Sequence, residues 1–119
     1  MNIAITFRHL EASDAVKDYA TEKVAKLQKF LRQPMRARVT LERESKGAHR
    51  CEAEINAGSH HFVATHAGDD MYASIDMVVD KLERQINHEH KSRIRAKKGS
   101  ESAGAFAAGT TGRGDGSER

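Results

Sequence analysis

The chain has 119 residues and carries 20 Lys and Arg against 17 Asp and Glu, a net charge of +3 that says little by itself about partners. This length fits one domain, since a typical domain spans ~100 to 150 residues, and leaves no room for a second folded unit. Cys51 is the one cysteine, which excludes an internal disulfide. No apolar run approaches the ~18 residues of a membrane span and no leading signal segment precedes the first predicted element, so a reducing cytoplasm and no membrane partner are expected.

From Asn2 to Arg8 the residues alternate, with Ile3, Ile5 and Phe7 on one side, the period of a strand covered on one face. Ser13 then offers a hydroxyl cap and Asp14 an acid in the first turn, both of which stabilise the free N–H groups that begin a helix. Val16, Ala20, Val24, Leu27 and Leu31 recur every three to four residues, so the spacing predicts a helix from about Ser13 to Leu31, stopped before Pro34. Three more alternating runs follow: Met35 to Arg43, His49 to Ala57 and His60 to His66. Their inward residues are Ala37, Val39, Leu41, Cys51, Ala53, Ile55, Phe62 and Ala64. Arg36, Arg38, Glu42, Arg50, Glu52, Glu54 and Thr65 occupy the other face, which should meet water. Gly68-Asp69-Asp70 caps a second, long helix whose apolar stripe reads Tyr72, Ile75, Val79, Leu82 and Ile86, with no breaker before Gly99.

The order strand, helix, three strands, helix predicts an α+β fold of βαβββα type. The first two strands pair in parallel through a crossover, and the short turns make the rest an antiparallel meander. The result is a four-stranded mixed sheet with two helices packed on one face, similar to a double-stranded RNA-binding domain. It occupies residues 1–98. Residues 99–119 hold six of the nine glycines and too little apolar surface to offset ordering entropy, so a disordered Gly/Ser/Ala-rich tail is expected there.

On the second helix, Lys81, Arg84, His88, Lys91 and Arg95 are spaced three, four, three and four, which keeps them in one stripe opposite the predicted apolar row. A cationic row on a rigid helix can follow a phosphate backbone. The plain alternative is a solvated face with ion pairs to Asp80, Glu83 and Glu89. Against that, Lys81 to Lys98 contains seven Lys or Arg and two acids, a repulsion that an anion would relieve. On the first helix Lys17, Lys23, Lys26 and Lys29 spread around the wheel, and Lys23 and Lys26 are taken as flanking RNA contacts.

His60, His61 and His66 could converge with His49 on a metal, but His60 and His61 point to opposite faces, and exposed strand histidines are the expected outcome. Cys51 falls on an inward phase and reads as a buried small hydrophobe. Arg113-Gly114-Asp115 reads as a chance match. No Gly-rich phosphate loop, paired catalytic carboxylates or nucleophile–base signature is present, so neither enzymatic activity nor a cofactor is expected.

The segments Arg8-His9-Leu10-Glu11, Ser13-Asp14-Ala15-Val16-Lys17-Asp18-Tyr19 and Glu22-Lys23-Val24-Ala25-Lys26-Leu27 come first. Above all come Asp70-Met71-Tyr72-Ala73-Ser74-Ile75-Asp76 and Lys81-Leu82-Glu83-Arg84-Gln85. Over about residues 1 to 96 these resemble the hibernation promoting factor and protein Y family of bacterial ribosome-associated inhibitors, also known as sigma-54 modulation proteins. The resemblance implies a βαβββα domain bound to ribosomal RNA of the small ribosomal subunit and of whole ribosomes. There it would occupy the channel of messenger and transfer RNA, silencing idle ribosomes by steric exclusion in stationary phase or stress. It implies that Lys81, Arg84, His88 and Lys91 face that RNA, with His88 standing where many relatives carry lysine. It also implies that ribosome dimerisation would need a separate ribosome modulation factor. A generic duplex-RNA module, a metal-dependent enzyme and a sigma-factor modulator are the competing readings, and no physical feature of the sequence supports the last.

Overall fold

Alternation of apolar and polar residues builds each strand, and in the computed structural model the strands fall at β1 Asn2–Arg8, β2 Met35–Arg43, β3 His49–Ala57 and β4 His60–Gly68. Backbone is described for residues 1–98 and side chains for residues 1–89. The chain divides into two units, Met1–Asn87 and His88–Arg119. The tail expected over 99–119 lies outside the described residues.

The sheet runs in the order β1-β2-β3-β4. β1 and β2 pair in parallel with Ile3 beside Ala37 and Phe7 beside Leu41, while β2–β3 and β3–β4 are antiparallel, as the strand-helix-strand and hairpin spacings predict. The β2–β3 turn closes through Glu44 N–H donating to Ala48 O at 2.8 Å, with Gly47 at φ +94° supplying the left-handed step. β4 is two residues longer than the alternation predicts, because backbone pairing continues through Ala67 and Gly68 to Arg50 and His49.

Helix α1, Asp14–Ala25, starts where Ser13 Oγ accepts from Val16 N–H at 3.3 Å. Its predicted last turn, Lys26–Phe30, is a tighter 3₁₀ turn instead of α-helix. The cause is local: Gln28 turns back, its Oε1 accepting from Met35 N–H at 2.7 Å and its Nε2 donating to Gln33 O at 2.9 Å, which pulls the chain into β2. Helix α2, Met71–Lys98, starts at Asp70, whose Oδ2 accepts from Ala73 N–H at 3.0 Å.

Both helices cover the same face of the sheet. Ala20, Val24 and Leu27 of α1 and Met71, Ile75, Val78, Leu82 and Ile86 of α2 join the inward residues of β2, β3 and β4 in one core, with Ile3, Ile5 and Phe7 at its margin. Each large aliphatic side chain buried there contributes about 1.5 to 3 kcal/mol. The α2 stripe differs from the predicted one. Tyr72 is 38% exposed and Val79 only half-buried, whereas Met71, Ser74 and Val78 lie inside. The buried arc is thus turned by roughly 50° on a 100° wheel. Ser74 enters the core because its Oγ donates to His49 O at 2.8 Å, which satisfies the hydroxyl. On the far side Tyr72 and Asp76 turn toward α1, where Tyr19 OH donates to Asp76 Oδ1 at 2.6 Å and the two tyrosine rings meet edge to face at 5.0 Å.

Candidate nucleic-acid interface

The rotation of α2 decides what its cations touch. Lys81 flanks the buried arc beside β4, and its Nζ donates to Thr65 O at 2.7 Å. One turn on, Gln85 Nε2 donates to Val63 O at 2.8 Å. β4 is an edge strand with outward carbonyls, so these two side chains satisfy what a fifth strand would otherwise take up. Lys81 therefore does not point clear of the body, as its place in the stripe predicts; it braces the sheet. Arg84 is exposed and forms an i,i+4 ion pair with Asp80 at 2.7 Å. Such exposed pairs contribute ~0 to 1 kcal/mol, so a phosphate can replace the carboxylate at small cost.

His88 belongs to the second unit and is exposed. Lys91 and Arg95 fall on α2, and their side chains lie outside the described residues. Lys26, at the start of the 3₁₀ turn, is exposed, while Lys23 of α1 is half-buried with its Nζ 5.4 Å from the centre of the Tyr19 ring. The hydrogen bond to Asp76, with burial and the neighbouring acids Asp70 and Glu22, pushes the Tyr19 phenol up to about 12. That hydroxyl stays protonated and holds α1 to α2.

The open face of the sheet is polar and largely self-paired. Arg50 lies within 3.4 to 3.9 Å of Glu42, Glu44 and Glu52, and Glu54 takes His61 at 2.7 Å and Arg38 at 3.9 Å. His61 is thus spoken for on the open face, while His66 and His49 follow the inward phase of their strands. Among the described residues no three His, Cys, Asp or Glu side chains are placed to hold a metal ion. Cys51 is buried, and burial pushes its thiol up to about 12, which removes the thiolate that nucleophilic chemistry requires. A shallow polar cleft of about 770 Å³ lies between His9 and the β2–β3 turn, lined by Glu42, Arg43, Glu44, Ser45 and Lys46. His9 closes it with φ +54°, a left-handed backbone uncommon outside glycine.

Sequence spacing identified the cations of α2 but missed Gln85 and Gln28, whose amides bond to backbone and leave no periodic signal. No helix among the described residues is long and apolar enough to cross a membrane.

Comparison with known proteins follows the same outline. The Ribosome hibernation promoting factor of Escherichia coli K12 is 33% identical over 95 residues, covering 80% of this chain and 98% of that protein. The Ribosome-associated factor Y of Haemophilus influenzae is 33% identical over 96 residues, covering 80% of this chain and 89% of that protein. The crystal structure of the Thermus thermophilus Protein Y N-terminal domain superposes with a TM-score of 0.67 at 31% identity, covering 74% of this chain and 98% of that one. These are ribosome-associated factors and not enzymes. Residues 3–95 match the family described as Sigma 54 modulation protein / S30EA ribosomal protein, and the chain belongs to that family.

Proposed function

We propose that the protein is a ribosome hibernation factor. It binds the small ribosomal subunit, alone or within whole ribosomes, in the channel that messenger and transfer RNA use. It blocks translation there by occupying space, in stationary phase or stress and within the cytoplasm. The observation that carries this reading is the likeness, over 80% of this chain and 98% of the relative, to a protein named Ribosome hibernation promoting factor. The chemistry of α2 supports it, since an exposed Arg84 held only by a surface ion pair is available to phosphate. The proposed RNA contacts are Arg84, His88, Lys91 and Arg95, with Lys81 contributing its charge from its place beside β4 and Lys23 and Lys26 as flanking contacts. Pairing of ribosomes would call for a separate modulation factor.

The test is cosedimentation with ribosomes, using the variant Arg84→Glu/Lys91→Glu beside the unsubstituted chain. Lys81 is left in place because it braces β4. The charge-reversed variant is expected to leave the ribosome fraction while keeping its circular dichroism. Retention in that fraction would remove α2 from the interface.

A further inference from the structure

A second run of charge lies away from α2. Between Glu22 and Glu42 the chain carries Lys23, Lys26, Lys29, Arg32, Arg36 and Arg38 and not one acid. The fold gathers four of these at the end of the sheet where β2 begins, β3 ends and β4 begins. The 3₁₀ turn has about three residues per turn, so Lys26 and Lys29 stand one above the other on it. Both are exposed, and Lys29 Nζ lies 5.2 Å from the centre of the Phe30 ring. Arg32 follows in the short link, and Arg36 opens the solvent face of β2, in register with Asn2 on one side and Asn56 on the other. Arg32 and Arg36 are also exposed, and no ion pair to an acid is formed by Lys26, Lys29, Arg32 or Arg36 among the described residues. Arg84 differs in this respect, because Asp80 already holds it.

The backbone beneath these cations is fixed. Gln28 bonds both Met35 N–H and Gln33 O, and Met35 is fully buried. The β3–β4 turn seats against the same link: Gly58 has φ +60°, and a Cβ there would lie 2.8 Å from Gln33 Cγ. Like charges on a rigid rim repel one another, with no acid to relieve them, until a polyanion arrives. At the opposite end, around the starts of both helices and the β2–β3 turn, Asp14, Glu42, Glu44, Asp69 and Asp70 accompany the cations Arg43, Lys46 and Arg50, so charge there is mixed. The rim differs in being a run of cations with no acid between Glu22 and Glu42.

We propose that this rim, formed by Lys26, Lys29, Arg32 and Arg36, is a second RNA contact that grips the phosphate backbone of a segment other than the one met by α2. The proposal rests on the ribosome-binding reading and adds a contact surface to it. Its charge pattern favours phosphate over base edges, because lysines on an exposed turn supply point charges without a groove in which to read sequence.

The experiment measures binding of the full chain to purified small subunits across a range of potassium chloride. The unsubstituted protein is compared with Lys29→Ala/Arg32→Ala/Arg36→Ala, Arg32→Lys/Arg36→Lys and Arg84→Glu. Removing a cation that neutralises one phosphate should flatten the plot of log affinity against log salt by roughly 0.7 to 0.9, so the triple alanine variant should lose roughly 2 to 3 from the slope and bind at least about tenfold more weakly at low salt. The lysine variant should keep the slope. An unchanged slope in the triple variant, with Arg84→Glu impaired, overturns the rim and leaves the ribosome reading standing. Weaker binding at unchanged slope also overturns it, since the rim would then meet something other than phosphate. Absence of binding by the unsubstituted chain overturns the ribosome reading and the rim with it.

Discussion

Lys81 and Arg84 sit three residues apart on one helix, carry the same charge and do different work. Lys81 donates to a carbonyl of the edge strand, so Lys81→Ala leaves Thr65 O without that partner and should lower stability by about 1 kcal/mol, which is several degrees in melting temperature for a domain of this size. Arg84→Ala removes an exposed ion pair and should stay within about 0.5 kcal/mol of the parent. Thermal unfolding followed by circular dichroism separates the two; equal shifts would mean that Lys81 is as free as Arg84. A pH effect belongs to the same scale. Cys51 and Tyr19 are both raised to about 12 in the folded chain, from ordinary values of 9.0 and 10.0. Groups raised in this way favour the folded state fully below the unfolded value and lose that contribution as pH climbs toward the folded one. Stability should therefore decline between about pH 9 and 12, and Cys51→Ala should shrink the decline. A flat profile over that window would contradict the burial of the thiol. The capping residues Ser13 and Asp70 were readable in the sequence because a hydroxyl or carboxylate before an apolar run has a fixed local partner. Gln28 and Gln85 were not, because their partners are brought in by the tertiary fold.

At the scale of elements, strands were more legible than helix faces. Period 2 admits only two phases, and the inward residues Ala37, Val39, Leu41, Cys51, Ala53, Ile55, Phe62 and Ala64 are all buried. A helix can rotate continuously, and α2 offers Met71, Tyr72, Ile75, Met77, Val78 and Val79 over a wide arc of its first turns. The choice among them was made by tertiary contacts: Ser74 bonds inward to His49 O, and Tyr72 and Asp76 are drawn to Tyr19. The two phases predict opposite orders for a pair of neighbours. Val78 is 1% exposed and Val79 half-buried, so Val78→Ala should cost roughly 2 kcal/mol and Val79→Ala clearly less. Chemical denaturation of the two variants measures this, and the reverse order would restore the stripe predicted from sequence. The close of the first helix was missed for a related reason, since a 3₁₀ turn keeps the apolar spacing of an α-helix while Gln28 tightens it from the side.

For the whole molecule, the βαβββα order and one-sided helix cover could be derived from periodicity and turn residues alone. The function could not. A cationic stripe argues for a polyanion, and only the likeness of particular segments narrows that polyanion to the ribosome. Of the stripe's members in the first unit, Lys81 donates to an edge-strand carbonyl and Arg84 pairs with Asp80, whereas Lys26, Lys29, Arg32 and Arg36 form no ion pair among the described residues. Charge runs can be counted in a sequence, but which charges are already satisfied depends on strand register and helix phase. The proposed function requires that this domain recognise the assembled small subunit and not RNA in general. Sedimentation of the full chain through sucrose gradients at physiological salt, with small subunits, whole ribosomes or free duplex RNA, tests it most directly. Travel with small subunits and whole ribosomes and none with the duplex is the expected result; equal binding to all three, or binding to duplex alone, would contradict the proposed function.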